Sequence, residues 1–301
     1  MDRRVVIGTR GSQLAMWQAN RVAAELRQAH PDLETVLQVV KTEGDQRPDV
    51  PFGSFEGRGV FVRELELALA DGRVDLAVHS AKDVPTDLAP GLELVGALPR
   101  HDPRDALVGG SIDELPAGSR IGTSSPRRRA ALARHRWDVT FVELRGNLET
   151  RLRKLDEGRF DATVLACAGL ERLGLGHRIA ERLAPDVCMP APGQGIVVIE
   201  GRAGDERCRA LLAAVTECSS LSCLAAERAV LEALGGGCQV PIGALATLDG
   251  RTLRLRAAVT QPDGKRQVDG ETRGDVGAAP ELGRALAATL IERGARELLG
   301  R

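Results

Sequence analysis

Val60-Phe61-Val62-Arg63-Glu64-Leu65-Glu66-Leu67-Ala68-Leu69-Ala70 has helical spacing, with Phe61, Leu65, Ala68 and Leu69 inward, and Val74-Asp75-Leu76-Ala77-Val78 follows as a short apolar run. A helix feeding a buried strand is the repeating unit of α/β folds, and its neighbours repeat it. Upstream, Val5 to Gly8 reads as a strand, Ser12 caps a helix to Gln28, and Leu33 to Val40 is the next strand. Downstream, Leu92 to Leu98 is another strand. Such alternation predicts a largely parallel sheet. Between Lys41 and Gly59 the chain is polar, glycine-containing and aperiodic, which marks a functional loop.

The pattern then restarts. Arg120 to Thr123, Thr140 to Leu144 and Ala162 to Ala166 read as strands, separated by helices opened by Ser124-Ser125-Pro126 and covering Leu148 to Glu157; a short helix follows at Gly169 to Leu173. Ile196 to Glu200, after the punctuated run Pro190-Ala191-Pro192-Gly193-Gln194-Gly195, reads as a strand returning to the first sheet. A third region holds a helix from Leu221 to Leu234, strands Ala244 to Leu248 and Leu253 to Val259 joined by Asp249-Gly250, and a final helix from Pro280 to Leu299. The expected division is 1–98 plus 196–214, 99–195, and 215–301.

Composition narrows the function. The 301 residues are 43% hydrophobic and 28% charged, with 41 Lys+Arg against 42 Asp+Glu, the balance of a soluble globular protein and not of a general nucleic-acid binder. No signal peptide or membrane span is expected, which points to the cytoplasm. Cys167, Cys188, Cys208, Cys218, Cys223 and Cys238 show neither a disulfide framework nor zinc spacing, so free thiols and no metal are expected. Lys41, Lys82, Lys154 and Lys265 are the only lysines; the other cations are arginines, whose forks suit carboxylates and phosphates.

Polar residues gather where α/β folds bind ligands, at strand ends and helix starts. Arg10 and Ser12 follow the first strand, and His79-Ser80-Ala81-Lys82-Asp83-Val84-Pro85 follows Val74 to Val78. Taken singly, Arg10 fits a solvated turn equally well, Lys82/Asp83 an ordinary surface turn, and His79 a satisfied core residue. Ser125, Arg127 and Arg128 are different, because arginines at the positive end of a helix dipole call for an anionic partner. Arg145, Arg151 and Arg172 add three more arginines after strands or in first helical turns. In Gly235-Gly236-Gly237-Cys238-Gln239-Val240-Pro241-Ile242-Gly243 the glycines end a helix and turn the chain, and that stretch alone favours a helix cap followed by an inert buried thiol.

Together, Thr9-Arg10-Gly11-Ser12, His79 to Pro85, Gly122-Thr123-Ser124-Ser125, Leu144-Arg145-Gly146-Asn147 and Gly236 to Gly243 resemble the porphobilinogen deaminase (hydroxymethylbilane synthase) family, in order and at family-like spacing. The resemblance implies three domains. The first two would be built like periplasmic binding proteins with a cleft between them, and the third would be a small α+β domain presenting the cysteine. It implies a dipyrromethane cofactor joined to Cys238 by a thioether, and head-to-tail condensation of four porphobilinogen molecules with loss of ammonia, then release of hydroxymethylbilane by water. Asp83 would meet pyrrole N–H groups and steady positive charge. Arg10, Ser12, Lys82, Ser125, Arg127, Arg128, Arg145, Arg151, Arg172 and Gln194 would hold acetate and propionate arms. A monomer is implied, acting on a small molecule with neither nucleic acid nor membrane as partner. This sequence departs from the family pattern at Glu43, at Glu56-Gly57-Arg58-Gly59 and at Pro126. A non-catalytic protein for carboxylated ligands is the alternative from another class.

Overall fold

The computed structural model describes residues 4–42, 62–236 and 240–300. They form two compact units, residues 1–100 with 196–221 and residues 101–195 with 222–301. Most of the functional loop expected at Lys41 to Gly59 lies outside the described residues, as does Cys238.

The first unit holds strands β1 (Arg4–Thr9), β2 (Glu34–Val39), β3 (Leu76–Ser80), β4 (Leu92–Ala97) and β10 (Val197–Arg202) in the order β2-β1-β3-β10-β4. β1 runs parallel to β2 and β3, whereas β10 is antiparallel to both β3 and β4. The returning strand therefore joins the first sheet as expected, but makes it mixed. The reason lies in connectivity, since β10 arrives after the whole of residues 101–195 and not through a right-handed crossover helix.

Two helices cover this sheet. α1 (Gln13–Ala29) is capped by Ser12, whose hydroxyl accepts from the Ala15 amide at 3.3 Å. It packs Ala19, Val22 and Leu26 with Leu76 and Val78. α2 (Arg63–Ala70) packs Leu65, Ala68 and Leu69 with Val74 and Ala77. The alternation of Leu76, Ala77 and Val78 between these clusters is why the strand reads as a continuous apolar run. Each fully buried leucine contributes about 1.5–3 kcal/mol.

The second unit carries β5 (Asp105–Val108), β6 (Arg120–Gly122), β7 (Thr140–Val142), β8 (Ala162–Ala166) and β9 (Glu181–Arg182) in the order β7-β6-β8-β5-β9. Its helices are α3 (Pro126–His135), α4 (Leu148–Asp156) and α5 (Cys167–Arg172). β6, β7 and β8 are parallel; β5 is antiparallel to β8 and β9. β5 and β9 are additions to the expected pattern. α6 (Glu206–Ala213) belongs to the first unit, where Leu212 joins the core with Leu76 and Ile199.

α7 (Cys218–Ala233) leads toward the glycine run. Gly235 has φ +66°, its amide donates to Glu232 O at 2.8 Å, and the Gly236 amide donates to Leu231 O at 2.8 Å. These paired bonds close the helix by the left-handed turn that glycine makes at least cost. Strands β11 (Ile242–Asp249), β12 (Thr252–Thr260) and β13 (Gln267–Asp275) form an antiparallel sheet. The third strand goes beyond the expected pair. The expected last helix is broken into α8 (Ala279–Glu292) and α9 (Ala295–Leu298), because Gly294 adopts φ +92°.

Candidate functional site

In the first unit β1 and β3 are parallel neighbours, so their C-terminal ends emerge side by side. Arg10 and Ser12 follow one end, Lys82 and Asp83 the other. Beyond Ser80 the chain makes one 3₁₀ turn over Ala81–Asp83, pinned by the Ala81 amide on Ile196 O at 3.0 Å. Ser80 Oγ accepts from Gln18 Nε2 at 2.8 Å, which ties this turn to α1. Arg10, Ser12 and Lys82 are half-buried and Asp83 is exposed. Four sequence-nominated residues thus share one rim of the sheet.

His79 instead faces the interior, with its Nε2 3.0 Å from Glu200 Oε2 on the adjacent strand. Both side chains are buried, as the core-residue reading of His79 expects.

The second unit brings the arginines together around a residue the sequence did not single out. Asp105, fully buried, accepts from Arg127 Nη1 at 2.7 Å, Arg128 Nε and Nη2 at 3.0 and 2.7 Å, Gln194 Nε2 at 3.0 Å and Cys188 Sγ at 3.3 Å. Arg127 Nη1 also donates to Met189 O at 2.6 Å, and Arg128 Nη1 to Val164 O at 2.8 Å. Burial opposes the charge on Arg127, but the Asp105 carboxylate more than offsets it and raises its pKa. Burial pushes the Cys188 thiol up to about 12, assisted by Asp105, so it remains protonated at neutral pH.

Arg172 is buried beside this group and donates through Nη2 to Gly195 O at 2.7 Å, next in sequence to Gln194. Burial lowers its pKa to about 10, with Glu171 opposing. It therefore stays charged at neutral pH in a setting that favours an anion close by.

The remaining expected donors sit on two linked loops. Ser125 caps α3, accepting from the Arg128 amide at 3.4 Å, and Ser124 Oγ both donates to Leu144 O at 2.7 Å and accepts from Leu144 N at 3.0 Å. That reciprocal pair holds the Ser124-Ser125 turn against the loop that starts Arg145-Gly146-Asn147. Arg145 Nε bonds Glu143 at 2.7 Å and Arg151 Nε bonds Gly146 O at 2.8 Å. Asn147 caps α4 by accepting from Thr150 N at 2.9 Å. Pro126, the unusual residue before the arginines, occupies the first turn of α3, where its missing N–H costs nothing.

Asp105 and Cys188 were missed because neither sits in a recognisable pattern. A signal was present all the same: two arginines in a helix's first turn call for a counter-charge, and Asp105 closes the charged run Asp102-Pro103-Arg104-Asp105. Among the described residues no cluster of His, Cys, Asp and Glu could hold a metal ion.

The chain matches the family model described as porphobilinogen deaminase, dipyromethane cofactor binding domain, over residues 5–210, and that of the porphobilinogen deaminase C-terminal domain over residues 221–292. It is 48% identical over 302 residues to a porphobilinogen deaminase of Roseiflexus sp. (strain RS-1), covering 99% of each chain. Among solved structures it is similar to the methionine-binding protein MetQ, at TM-score 0.45 and 15% identity over 71% of this chain and 90% of that one. It is also similar to the BenM effector-binding domain with benzoate, at TM-score 0.43 and 17% identity over 71% and 91%. Those two likenesses are too slight to carry argument. With matched family models spanning most of both units and a relative aligned along almost its whole length, the chain belongs to the porphobilinogen deaminase family.

Proposed function

We propose that the chain is a transferase of tetrapyrrole biosynthesis. It joins four porphobilinogen molecules head to tail with loss of ammonia and releases hydroxymethylbilane by hydrolysis. The observation that carries this reading is the gathering of Arg127, Arg128 and Gln194 on Asp105, with Arg172 alongside, in a chain of this family. Two guanidiniums against one buried carboxylate form a receptor for anionic arms.

The donor set fits a carboxylate-rich group, and Cys238 would hold the dipyrromethane by a thioether. Once bound, that group supplies the pyrrole position to which substrate units add. The protein's own part is electrostatic and geometric. Arg127, Arg128 and Arg172, with Ser125, Arg145, Arg151 and Gln194, would fork acetate and propionate side chains and set their register. Arg10, Ser12 and Lys82 would do the same from the rim of the first sheet. Asp83, at the end of its pinned turn, would accept from pyrrole N–H groups and steady the positive charge that develops as ammonia leaves. A cysteine that tethers and does not hydrolyse needs no histidine base, in keeping with the absence of any such partner from the motif.

The three-part division at 1–98 with 196–214, 99–195 and 215–301 belongs to the same reading. So do a monomer, a cytoplasmic site of action, and the lack of nucleic-acid or membrane partners. No single helix among the described residues is long and apolar enough to cross a membrane.

Intact-mass measurement of the purified chain, before and after exposure to porphobilinogen, tests the proposal. The expected mass exceeds the sequence mass by a dipyrromethane, and Cys238→Ser abolishes the increment. An unmodified mass in both samples would favour the non-catalytic carboxylate-binding protein.

A further inference from the structure

We infer that Asp105 is a positioning residue of the condensation reaction, fixing the aim of the Arg127 and Arg128 forks and limiting their uncompensated charge to one. The inference rests on the proposed function.

The side chains of Arg127 and Arg128 leave the first turn of α3 and are 8% and 7% exposed; that of Asp105 is 0%. Long, flexible guanidiniums so buried have one geometry only if something holds them, and Asp105 holds both. Its Oδ2 takes Arg127 Nη1 and the Cys188 thiol, and its Oδ1 takes Arg128 Nε and Nη2 with the Gln194 amide. Every one of these donors comes from a different segment, except the two arginines. A fixed carboxylate thus sets the register between α3, the 188–189 turn and the 191–195 linker.

Charge makes the arrangement purposeful. Among the described residues no other carboxylate forms an ion pair with Arg127 or Arg128. The ion group just before Asp105 in sequence balances internally: Asp102 pairs with Arg104 at 2.8 Å and Arg182 at 2.9 Å, and Arg182 with Glu171 at 2.7 Å. Cys188 stays a thiol and Gln194 is neutral. Within the Arg127–Arg128–Asp105 group one positive charge is left over in a buried setting, where such a charge is costly and a ligand carboxylate relieves it. Without Asp105 two such charges would remain and the forks would lose their common anchor.

Charge and geometry predict opposite outcomes for Asp105→Asn. Added positive charge alone would tighten binding of an anionic substrate and lower KM. Lost positioning instead lowers kcat, by about 10²-fold, because small displacements of positioning groups cost that much. Asp105→Glu, which restores the charge but moves it by one methylene, should not rescue kcat. The comparison uses cofactor-loaded protein, with adduct fraction from intact mass, kcat and KM per loaded molecule, and melting temperature. If Asp105→Asn proves unfolded, Cys188→Ala relaxes the same node more gently and should lower kcat, by less than the ~10²-fold of Asp105→Asn. Wild-type kcat per loaded molecule in the folded variants, a lowered KM at unchanged kcat, or full rescue by Asp105→Glu would each overturn the inference. Wild-type protein without adduct or turnover would instead sink the functional reading beneath it.

Discussion

Asp83 is exposed at the end of a turn held by its neighbours and not by its own side chain, so replacing the carboxylate leaves the support intact. Asp83→Asn should therefore keep the melting temperature and the cofactor increment while turnover falls by about 10²–10³-fold, the cost of losing one preorganised electrostatic group. Steady-state kinetics on loaded protein decides it, and near-normal turnover would remove Asp83 from its role. At this scale the sequence offers positions after strands and at helix starts. Asp83, Arg10, Ser12, Arg127, Arg128, Arg145 and Arg151 stand after strands or early in helices, a placement visible from hydrophobic period alone, whereas Arg172 closes α5 at its C-terminal end. What it did not show were the partners that hold those groups. Asp105 meets α3 by direct side-chain bonds to Arg127 and Arg128, and a contact between β5 and a helix about twenty residues later leaves no local trace.

α2 carries a carboxylate that opposes its own burial. Glu66 is half-buried and its pKa is raised, first by desolvation and then by the nearby charge of Glu200, against the Ala89 amide that donates to it at 3.1 Å. A carboxyl raised in the folded state binds more protons there than in the unfolded chain, so stability falls as pH rises above 4.5 through the raised value. Glu66→Gln keeps the acceptor for Ala89 and drops the charge. The variant should gain a few tenths of a kcal/mol at pH 7, solvent screening included, and almost nothing at pH 4. Melting curves across that range show whether the gain grows with pH. The loop before α4 offers a second element-scale case. Gly146 has φ +109°, and a Cβ there would lie 2.6 Å from Thr150 Cγ2. Gly146→Ala should cost about 1–3 kcal/mol by strain and overpacking, read as a lower melting temperature. Elements with a clean period or cap were legible: α1 and α3 begin where Ser12 and Ser125 place them, and α4 begins at the expected Leu148. β13 was not, because Gln267–Asp275 contains a single large apolar residue, Val268, and two glycines. Those glycines make room for α8, with Gly270 under Leu286 and Leu290 and Gly274 under Leu282. Packing against a helix, and not an apolar face of its own, holds the strand.

Across the whole molecule the buried positive charge makes stability depend on what is bound. Cys238→Ser cannot take up the cofactor and should melt several degrees below the loaded wild type, because no covalently held carboxylate meets the arginines of the second unit. Scanning calorimetry of the two proteins checks this, and equal melting temperatures would count against the arginine assignment. The two-sheet α/β plan was legible from alternation, and so was the return of Val197–Arg202 to the first sheet. Strand direction was not: hydrophobic period is the same for parallel and antiparallel pairing, so the mixed sheets became visible only through connectivity.

That returning strand also sets a timetable for biosynthesis. β3 and β4 flank β10, yet almost one hundred residues separate β4 from it. Until the ribosome has made Arg202, a nascent first unit has two unpaired strand edges and lacks the core contributions of Val197 and Ile199. Residues 101–195 must be synthesised, and can begin to fold, inside an unfinished host. Late closure of so distant a contact favours slow folding and exposes the half-made chain to edge pairing through β3, an edge that β10 covers in the finished sheet.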